Sequence, residues 1–337
     1  RSLAASLSCL AAGLATAKTP METYTNPLGD PLSIADPFVL KDNGTYYLYG
    51  TTSSSEGFRC WTSEDLVNWT SQGLVYRRQE GDWGEKSFWA PEVVKLGEKY
   101  YLVFSANGET VKGRGLRLCL AVADSPLGPF EELKAPWFDY NYSAIDAHLF
   151  IDDGTPYLFY EMVGVAGEPW TDQGYFWGQI FGVRLTDDLL EMAEQPTLCL
   201  FPTEPWEGIE SRKARSVEGM TVFMRDGRYY MMYSANHYTD PNYGVGYAVA
   251  DRPLGPWKKA DRNPILKNRL ADGISGPGHN SIVASPSGEE LFVVYHTHAD
   301  AENPSHRRVL NLDRLIVRPD GELSVLGPTR TPQPRPR

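Results

Sequence analysis

The sequence is short of cysteine, of clustered positive charge and of long apolar runs, and each shortage removes a class of protein. None of its four cysteines stands in a C-x-x-C pair, so zinc ribbons and thioredoxin-type redox motifs are absent. Three of them, Cys60, Cys119 and Cys199, follow residue 17. An odd number leaves at least one free thiol, so a disulfide framework does not hold the fold, and each reads as a small buried hydrophobe. Lys and Arg number 32 against 43 Asp and Glu, a net charge of −11, and the basic residues are scattered apart from pairs such as Arg77-Arg78 and Arg307-Arg308. Nucleic-acid partners need clustered cations and are not expected; a neutral ligand such as a sugar fits better. No stretch reaches the roughly 20 apolar residues that would span a bilayer, so no transmembrane segment is expected.

The segment Arg1–Ala17 is an Ala/Leu/Ser run ending in Ala15-Thr16-Ala17. It reads as a secretory signal peptide truncated at its start, which implies a secreted or periplasmic location. Cys9 lies inside it, and Ser6-Leu7-Ser8 before that residue matches a lipobox poorly.

What the sequence does have is aromatic and turn-forming residues: 19 Tyr, 9 Trp, 31 Gly and 25 Pro. That composition suits many short strands joined by tight turns. A pattern of apolar strand, polar turn and Tyr/Phe-rich strand recurs five times, opening at Asp36, Ala90, Asp146, Glu218 and His279. Asn43-Gly44, Asp153-Gly154 and Asp226-Gly227 supply turn residues that tolerate positive φ, so these copies read as β-hairpins. Further strand patterns follow, closed by phrases such as Ser125-Pro126-Leu127-Gly128-Pro129 and Arg252-Pro253-Leu254-Gly255-Pro256. Each unit therefore holds about four strands, and the spacing, allowing for insertions, is that of propeller blades. The expected fold is all-β, a five-bladed β-propeller of four-stranded antiparallel sheets over residues 18–326, followed by a disordered Pro/Arg-rich tail at 327–337.

The opening residues of the repeats are predicted to converge on one ring lining the central channel. Three of the five are acids: Asp36, Asp146 and Glu218. Buried acids repel one another and lose hydration, a cost that a function must require. Glycoside hydrolysis needs such a group: a protonated carboxyl for the leaving oxygen, a carboxylate to activate water, and a third to raise the acid's pKa.

The phrases Ile34-Ala35-Asp36-Pro37-Phe38, Trp89-Ala90-Pro91-Glu92, Ala144-Ile145-Asp146-Ala147-His148, Ser216-Val217-Glu218-Gly219 and Gly278-His279-Asn280-Ser281 resemble those of glycoside hydrolase family 43. The resemblance runs from about Asp30 to Leu326, one motif per repeat in family order. It implies an inverting mechanism with Asp36 as general base, Glu218 as general acid and Asp146 as modulator of the acid's pKa. It also implies removal of a terminal pentose, α-L-arabinofuranose first and β-D-xylose next, from plant-type glycans. An endo-arabinanase, an exo-galactosidase and a non-catalytic carbohydrate-binding propeller are the alternatives. Trp89 is expected to wall the sugar, with Arg307, or Arg308 in its place, as a pocket arginine and His237 as a further substrate-binding residue. His279 stands where family members resemble a structural calcium site; the chemistry itself needs no cofactor. A neutral imidazole is a weak ligand for that ion, so structural hydrogen bonding by His279 is the competing reading. Ala147-His148, where many members carry Pro, is expected at the subsite wall. His296 and His298 read as packed and hydrogen-bonded. The aromatic insertion from Gly164 to Gln179 is expected at a channel mouth, where it would favour a pocket.

Overall fold

The predicted two-residue turns are where the chain reverses. Asn43, Asp153 and Asp226 have φ of 48°, 46° and 51°, and the glycines after them 81°, 81° and 75°. Positive φ at both central residues matches the right-handed twist of the flanking strands. A computed structural model describes residues 22–29, 32–111, 113–139, 142–164, 176–208 and 214–337. The expected signal peptide at 1–17 and residues 165–175 of the aromatic insertion lie outside the described residues.

The described chain is all-β, with two short 3-10 turns and no α-helix among the described residues. After the short β1 (Thr23–Tyr24), five antiparallel meanders follow. Unit 1 is β2 (Ala35–Asp42), β3 (Thr45–Ser53), β4 (Gly57–Ser63) and β5 (Thr70–Arg77). Unit 2 is β6 (Lys86–Leu96), β7 (Lys99–Thr110), β8 (Gly113–Ala123) and β9 (Glu131–Lys134). Unit 3 is β10 (Ser143–Asp152), β11 (Thr155–Gly164), β12 (Phe176–Arg184) and β13 (Thr197–Leu200). Unit 4 is β14 (Ala214–Arg225), β15 (Arg228–Ala235), β16 (Gly244–Ala250) and β17 (Lys258–Lys259). Unit 5 is β18 (Gly278–Ala284), β19 (Leu291–His298), β20 (Arg308–Val317) and β21 (Leu323–Val325), and β22 (Gln333–Pro334) ends the order. Units 3 and 4 are joined into one sheet by a parallel pairing of β12 with β14, Gly178 opposite Ser216.

Apolar side chains leave both faces of these sheets, so each unit packs against two neighbours. The five hydrophobic clusters fall at the interfaces of units 1 and 2, 2 and 3, 3 and 4, 4 and 5, and 5 and 1. Cys60 and Cys119 lie from opposite sides in the first of these, unpaired and buried. The first strands touch in the same cyclic order, β2, β6, β10, β14, β18 and back to β2.

The expected disorder of residues 327–337 is a misreading. β22 pairs with β1, and the tail's arginines reach acceptors that its prolines cannot. Arg330 donates to the Asn311 amide oxygen at 2.8 Å and Arg335 to Asp65 at 2.8 Å. Proline removes backbone donors but leaves side chains free to dock the segment.

Each first strand carries a β-bulge at the same place, where one extra residue slips the register. The extra residues are Asp36, Ala90, Asp146, Gly219 and His279, with φ of 50°, 45°, 57°, 53° and 46°. Four are not glycine, a conformation costing of order 1–3 kcal/mol each. Their N–H groups turn toward the preceding unit. Ala90 donates to Thr51 at 2.8 Å, Asp146 to Ser105 at 3.0 Å, His279 to Ser234 at 2.7 Å and Asp36 to His296 Nδ1 at 3.1 Å. Gly219 instead donates to the Asp146 carboxylate at 3.1 Å.

Ser105 is fully buried. Ser105→Ala leaves the Asp146 amide without an acceptor and is expected to destabilise the protein by about 1–3 kcal/mol in urea unfolding. An exposed Ser71→Ala control is expected to cost less than about 0.5 kcal/mol.

Candidate active site

The bulges deliver side chains to one cavity of about 570 Å³. Asp36, Asp146, Glu218 and His279 line it together with Trp89, Asn236, His237, Tyr238 and Arg308. All three predicted acids are thus brought together, by different geometry from that expected. The register partner of Glu218 is Ser234, as that of Ala35 is Thr51 and that of Ile145 is Glu161. Glu218 therefore sits one residue before its bulge, at the place Trp89 holds in unit 2, and Gly219 is the true counterpart of Asp36 and Asp146. A one-residue offset in a strand changes the face that a side chain serves. The glycine also makes room: a Cβ on Gly219 would lie 3.0 Å from the His279 ring.

The acids differ in charge state. Burial pushes the Asp36 carboxyl up, but His279 and Arg308, with a 2.6 Å hydrogen bond from Thr51, hold it well below the ordinary range. The Arg308 guanidinium is 3.4 Å from Asp36. Burial, then the charges of Glu218 and Asp36, raises Asp146 to about 7 against the pull of His279 and the Gly219 N–H. Burial also raises Glu218, opposed by the Tyr243 hydroxyl that donates to it at 2.6 Å. The cavity thus pairs a firmly ionised carboxylate with two of raised proton affinity, the division that acid–base chemistry requires.

His279 Nδ1 lies 3.3 Å from Asp36 and 3.8 Å from Asp146. Burial opposes a charge on this ring, but Asp36, Asp146, Glu218 and Glu92 outweigh it and raise its pKa. The expected calcium at this ring would meet one imidazole nitrogen among the carboxylate oxygens of Asp36 and Asp146, and calcium prefers six to eight oxygens. The raised pKa of His279 favours a positive charge among the acids.

Trp89 and His237 line the cavity as expected. Arg307 does not: it is exposed, and Arg308, the other arginine considered, faces the acids. Arg308 is the first residue of β20, whereas Arg307 belongs to the loop before it, where its N–H bonds the Ser305 hydroxyl at 3.2 Å. Arg308 also lies 5.0 Å over the Tyr238 ring. Ala147 and His148 are not wall residues. Ala147 packs in the core, and His148 bridges Glu92 at 2.7 Å and the Val222 N–H at 3.0 Å, tying units 2, 3 and 4. His298 is held by Ser275 and the Tyr238 carbonyl, both at 2.8 Å, and His296 stays neutral because burial lowers its pKa. Trp177 stacks on Phe201 at 4.9 Å, away from the cavity lining.

Besides the lining residues Asn236 and Tyr238, two neighbours of the acids escaped the sequence reading. Tyr243 is one of 19 tyrosines and carries no local mark. Glu161 did carry a signal, a lone charge inside Tyr157-Leu158-Phe159-Tyr160-Glu161-Met162. It is fully buried, and one carboxylate oxygen each from Glu161, Asp146 and Glu218 lie within 4.8 Å of one another.

Comparison with known proteins agrees with this arrangement. Residues 24–323 match the family model described as Glycosyl hydrolases family 43. The crystal structure of a thermostable family-43 glycoside hydrolase superposes with a TM-score of 0.87 at 47% identity, covering 94% of this chain and 99% of that one. Beta-D-galactofuranosidase xynD of Aspergillus niger is 28% identical, over 86% of this chain and 81% of its own. An extracellular exo-alpha-(1->5)-L-arabinofuranosidase of Streptomyces avermitilis is 27% identical over 90% of this chain, which spans 63% of that protein.

Asp146 couples the site to stability. Its folded pKa of about 7 stands above its ordinary 3.8, so the stability it contributes is present below pH 3.8 and lost as pH rises toward 7. Asp146→Asn keeps an oxygen for the Gly219 N–H and removes the charge. The variant is expected to be more stable than wild type at pH 8, with the advantage shrinking as urea unfolding is repeated toward pH 4. An advantage equal at both pH values would contradict the raised pKa.

Proposed function

The chain belongs to glycosyl hydrolases family 43 and is a glycoside hydrolase; from that premise we propose that it removes terminal α-L-arabinofuranose, with β-D-xylose next, from plant-type glycans by inversion. The observation that carries the reading is the charge division in one cavity, Asp36 ionised and Glu218 and Asp146 raised. In this reading the five units are the blades of a five-bladed β-propeller whose first strands line the channel. The cyclic series of interfaces supports that closure.

Glu218 gives its proton to the glycosidic oxygen as the bond to the anomeric carbon breaks. Water attacks that carbon from the opposite face and yields a proton to Asp36. The products are a free sugar of inverted configuration and an alcohol, and solvent returns the proton from Asp36 to Glu218. Asp146 keeps the acid's pKa high by like charge, and its bond to the Gly219 N–H fixes the strand that carries Glu218. Trp89 walls the sugar. His237 and Arg308 hold polar positions at the rim, His237 bonded to the Thr239 hydroxyl at 2.7 Å.

A volume of about 570 Å³ suits a pocket for a terminal residue rather than a long groove. The arabinofuranosidase and galactofuranosidase names of the two relatives point to a furanose, and the exo-acting one supports terminal cleavage. That relative is extracellular, consistent with secretion of this chain. No helix among the described residues is long and apolar enough to cross a membrane.

Release of p-nitrophenol from the α-L-arabinofuranoside and β-D-xyloside tests the reading. Wild type is expected to favour the arabinofuranoside, and Asp36→Ala to lose about 10²–10⁴-fold in kcat. The first anomer seen by proton NMR is expected to be inverted. A retained anomer, or turnover of neither glycoside, overturns the mechanism or the sugar assignment respectively.

A further inference from the structure

The second strand of each unit carries one polar residue facing the next bulge. In four units it is Thr51, Ser105, Ser234 or His296, and each accepts the bulge N–H. Unit 3 has Glu161 at this register position, opposite Ile145, yet the Gly219 N–H goes to Asp146 instead. Glu161 is thereby released from the structural task that its counterparts perform.

Its surroundings are shaped to hold a carboxyl. A Cβ on Gly178 of β12 would fall 1.8 Å from Glu161 Oε1 and 2.1 Å from Ser216 Oγ, so the glycine opens the space that both occupy. Ser216 donates to Oε1 at 2.9 Å. Oε2 is buried and meets no hydrogen-bond donor among the described residues. The groups facing it are themselves acids, Asp146 from β10 and Glu218 from β14. Arg215 of β14 has its guanidinium over the Trp177 ring at 5.3 Å, and β12 brings no charged side chain beside Gly178. Around Glu218 stand Tyr243, His279 and Asp36.

Two ionised carboxyls are acceptors only and cannot bond to each other without a proton between them. Resting on the glycosidase reading, we propose that Glu161 is a positioning residue that keeps its own proton and donates it in a hydrogen bond to Glu218. Burial, with Glu218 and Asp146 beside it, holds Glu161 well above the usual carboxyl range, in keeping with that role. Glu161 and Tyr243 then bring two donors to Glu218. When Glu218 passes its proton to the leaving oxygen, the carboxylate left behind is met by both, and Glu161 stays protonated before and after. No water need enter a cavity already crowded with negative charge to stabilise the new one.

The test compares pH profiles of kcat/KM for wild type, Glu161→Gln and Glu161→Leu on aryl glycosides with good and poor leaving groups. Glutamine retains an N–H donor and is expected to keep the basic limb within about 0.3 unit of wild type. Leucine removes the donor; the basic limb is expected to move up by about one unit, with kcat falling roughly 10–100-fold on the poor leaving group. The loss is expected to be much smaller on the good leaving group, which needs little acid assistance, with KM within about threefold throughout. A basic limb moved down in Glu161→Gln overturns the proposal, because it means that wild-type Glu161 is ionised. A profile unchanged in Glu161→Leu reduces the residue to packing. Infrared difference spectroscopy at neutral pH is independent of turnover: the wild-type minus Glu161→Gln spectrum is expected to show one protonated-carboxyl band, the absorption of Glu218 and Asp146 cancelling between the two. If wild type cleaves no glycoside, the functional reading fails while the band still decides the state of Glu161. If Glu161→Leu does not fold, the glutamine profile and the band decide it.

Discussion

A backbone N–H turned toward five converging strands has little water to answer it, and the interior of this protein is arranged around answering that demand five times. The bulge that creates each such amide also forces its residue into positive φ, a strain that four non-glycine residues sustain. The hydrogen bond to the preceding unit offsets part of that strain, and it links neighbours that share no strand pairing, apart from units 3 and 4. The bulge therefore serves as a joint between units and as the device that aims a side chain into the cavity. Asp36, Asp146 and His279 face one another because the same joint is repeated, and the apolar interfaces hold those repeats at fixed separation.

The joint between units 3 and 4 differs in kind. Its acceptor is the carboxylate of Asp146 rather than a hydroxyl or a neutral imidazole. Asp146, the proposed modulator, is thus bonded to the backbone beside Glu218, so its charge and the position of that strand meet in one contact. The opposite side of the cavity is cationic, with Arg308 and His279 against Asp36. This polarity of the site, cations beside Asp36 and carboxyls around Glu218, separates the proton affinities of the two groups.

The repeat was legible because hairpin turns leave a strong local mark, and the acids because three of five repeats opened with one. The fold class and the identities of Asp36, Asp146 and Glu218 followed from those marks. What escaped was register. Glu218 and Gly219 are adjacent, and only the pairing with Ser234 tells which of them occupies the bulge. Arg307 and Arg308 posed a similar problem, settled by where β20 begins: Arg308 opens the strand and Arg307 stays in the exposed loop before it. Glu161 escaped for a different reason: its partners lie on other strands, and nothing near it in the chain announces them. The tail was misjudged because its composition of Pro and Arg resembles that of solvated segments, whereas acceptors distant in sequence, on Asn311 and Asp65, hold it down.

Cys60 and Cys119 enter the interface of units 1 and 2 from its two sides, free and buried. Burial pushes the Cys60 thiol up to about 12 and Cys119 well above its ordinary value, so in the closed molecule neither offers a thiolate. Their reactivity is therefore gated by separation of the two units rather than by intrinsic nucleophilicity. The protein carries a built-in clock for the opening of one seam, read by the rate at which a thiol reagent reaches the pair. The third described thiol, Cys199, is half-buried against the cluster of units 3 and 4, so among the described residues the fully buried pair marks the seam of units 1 and 2.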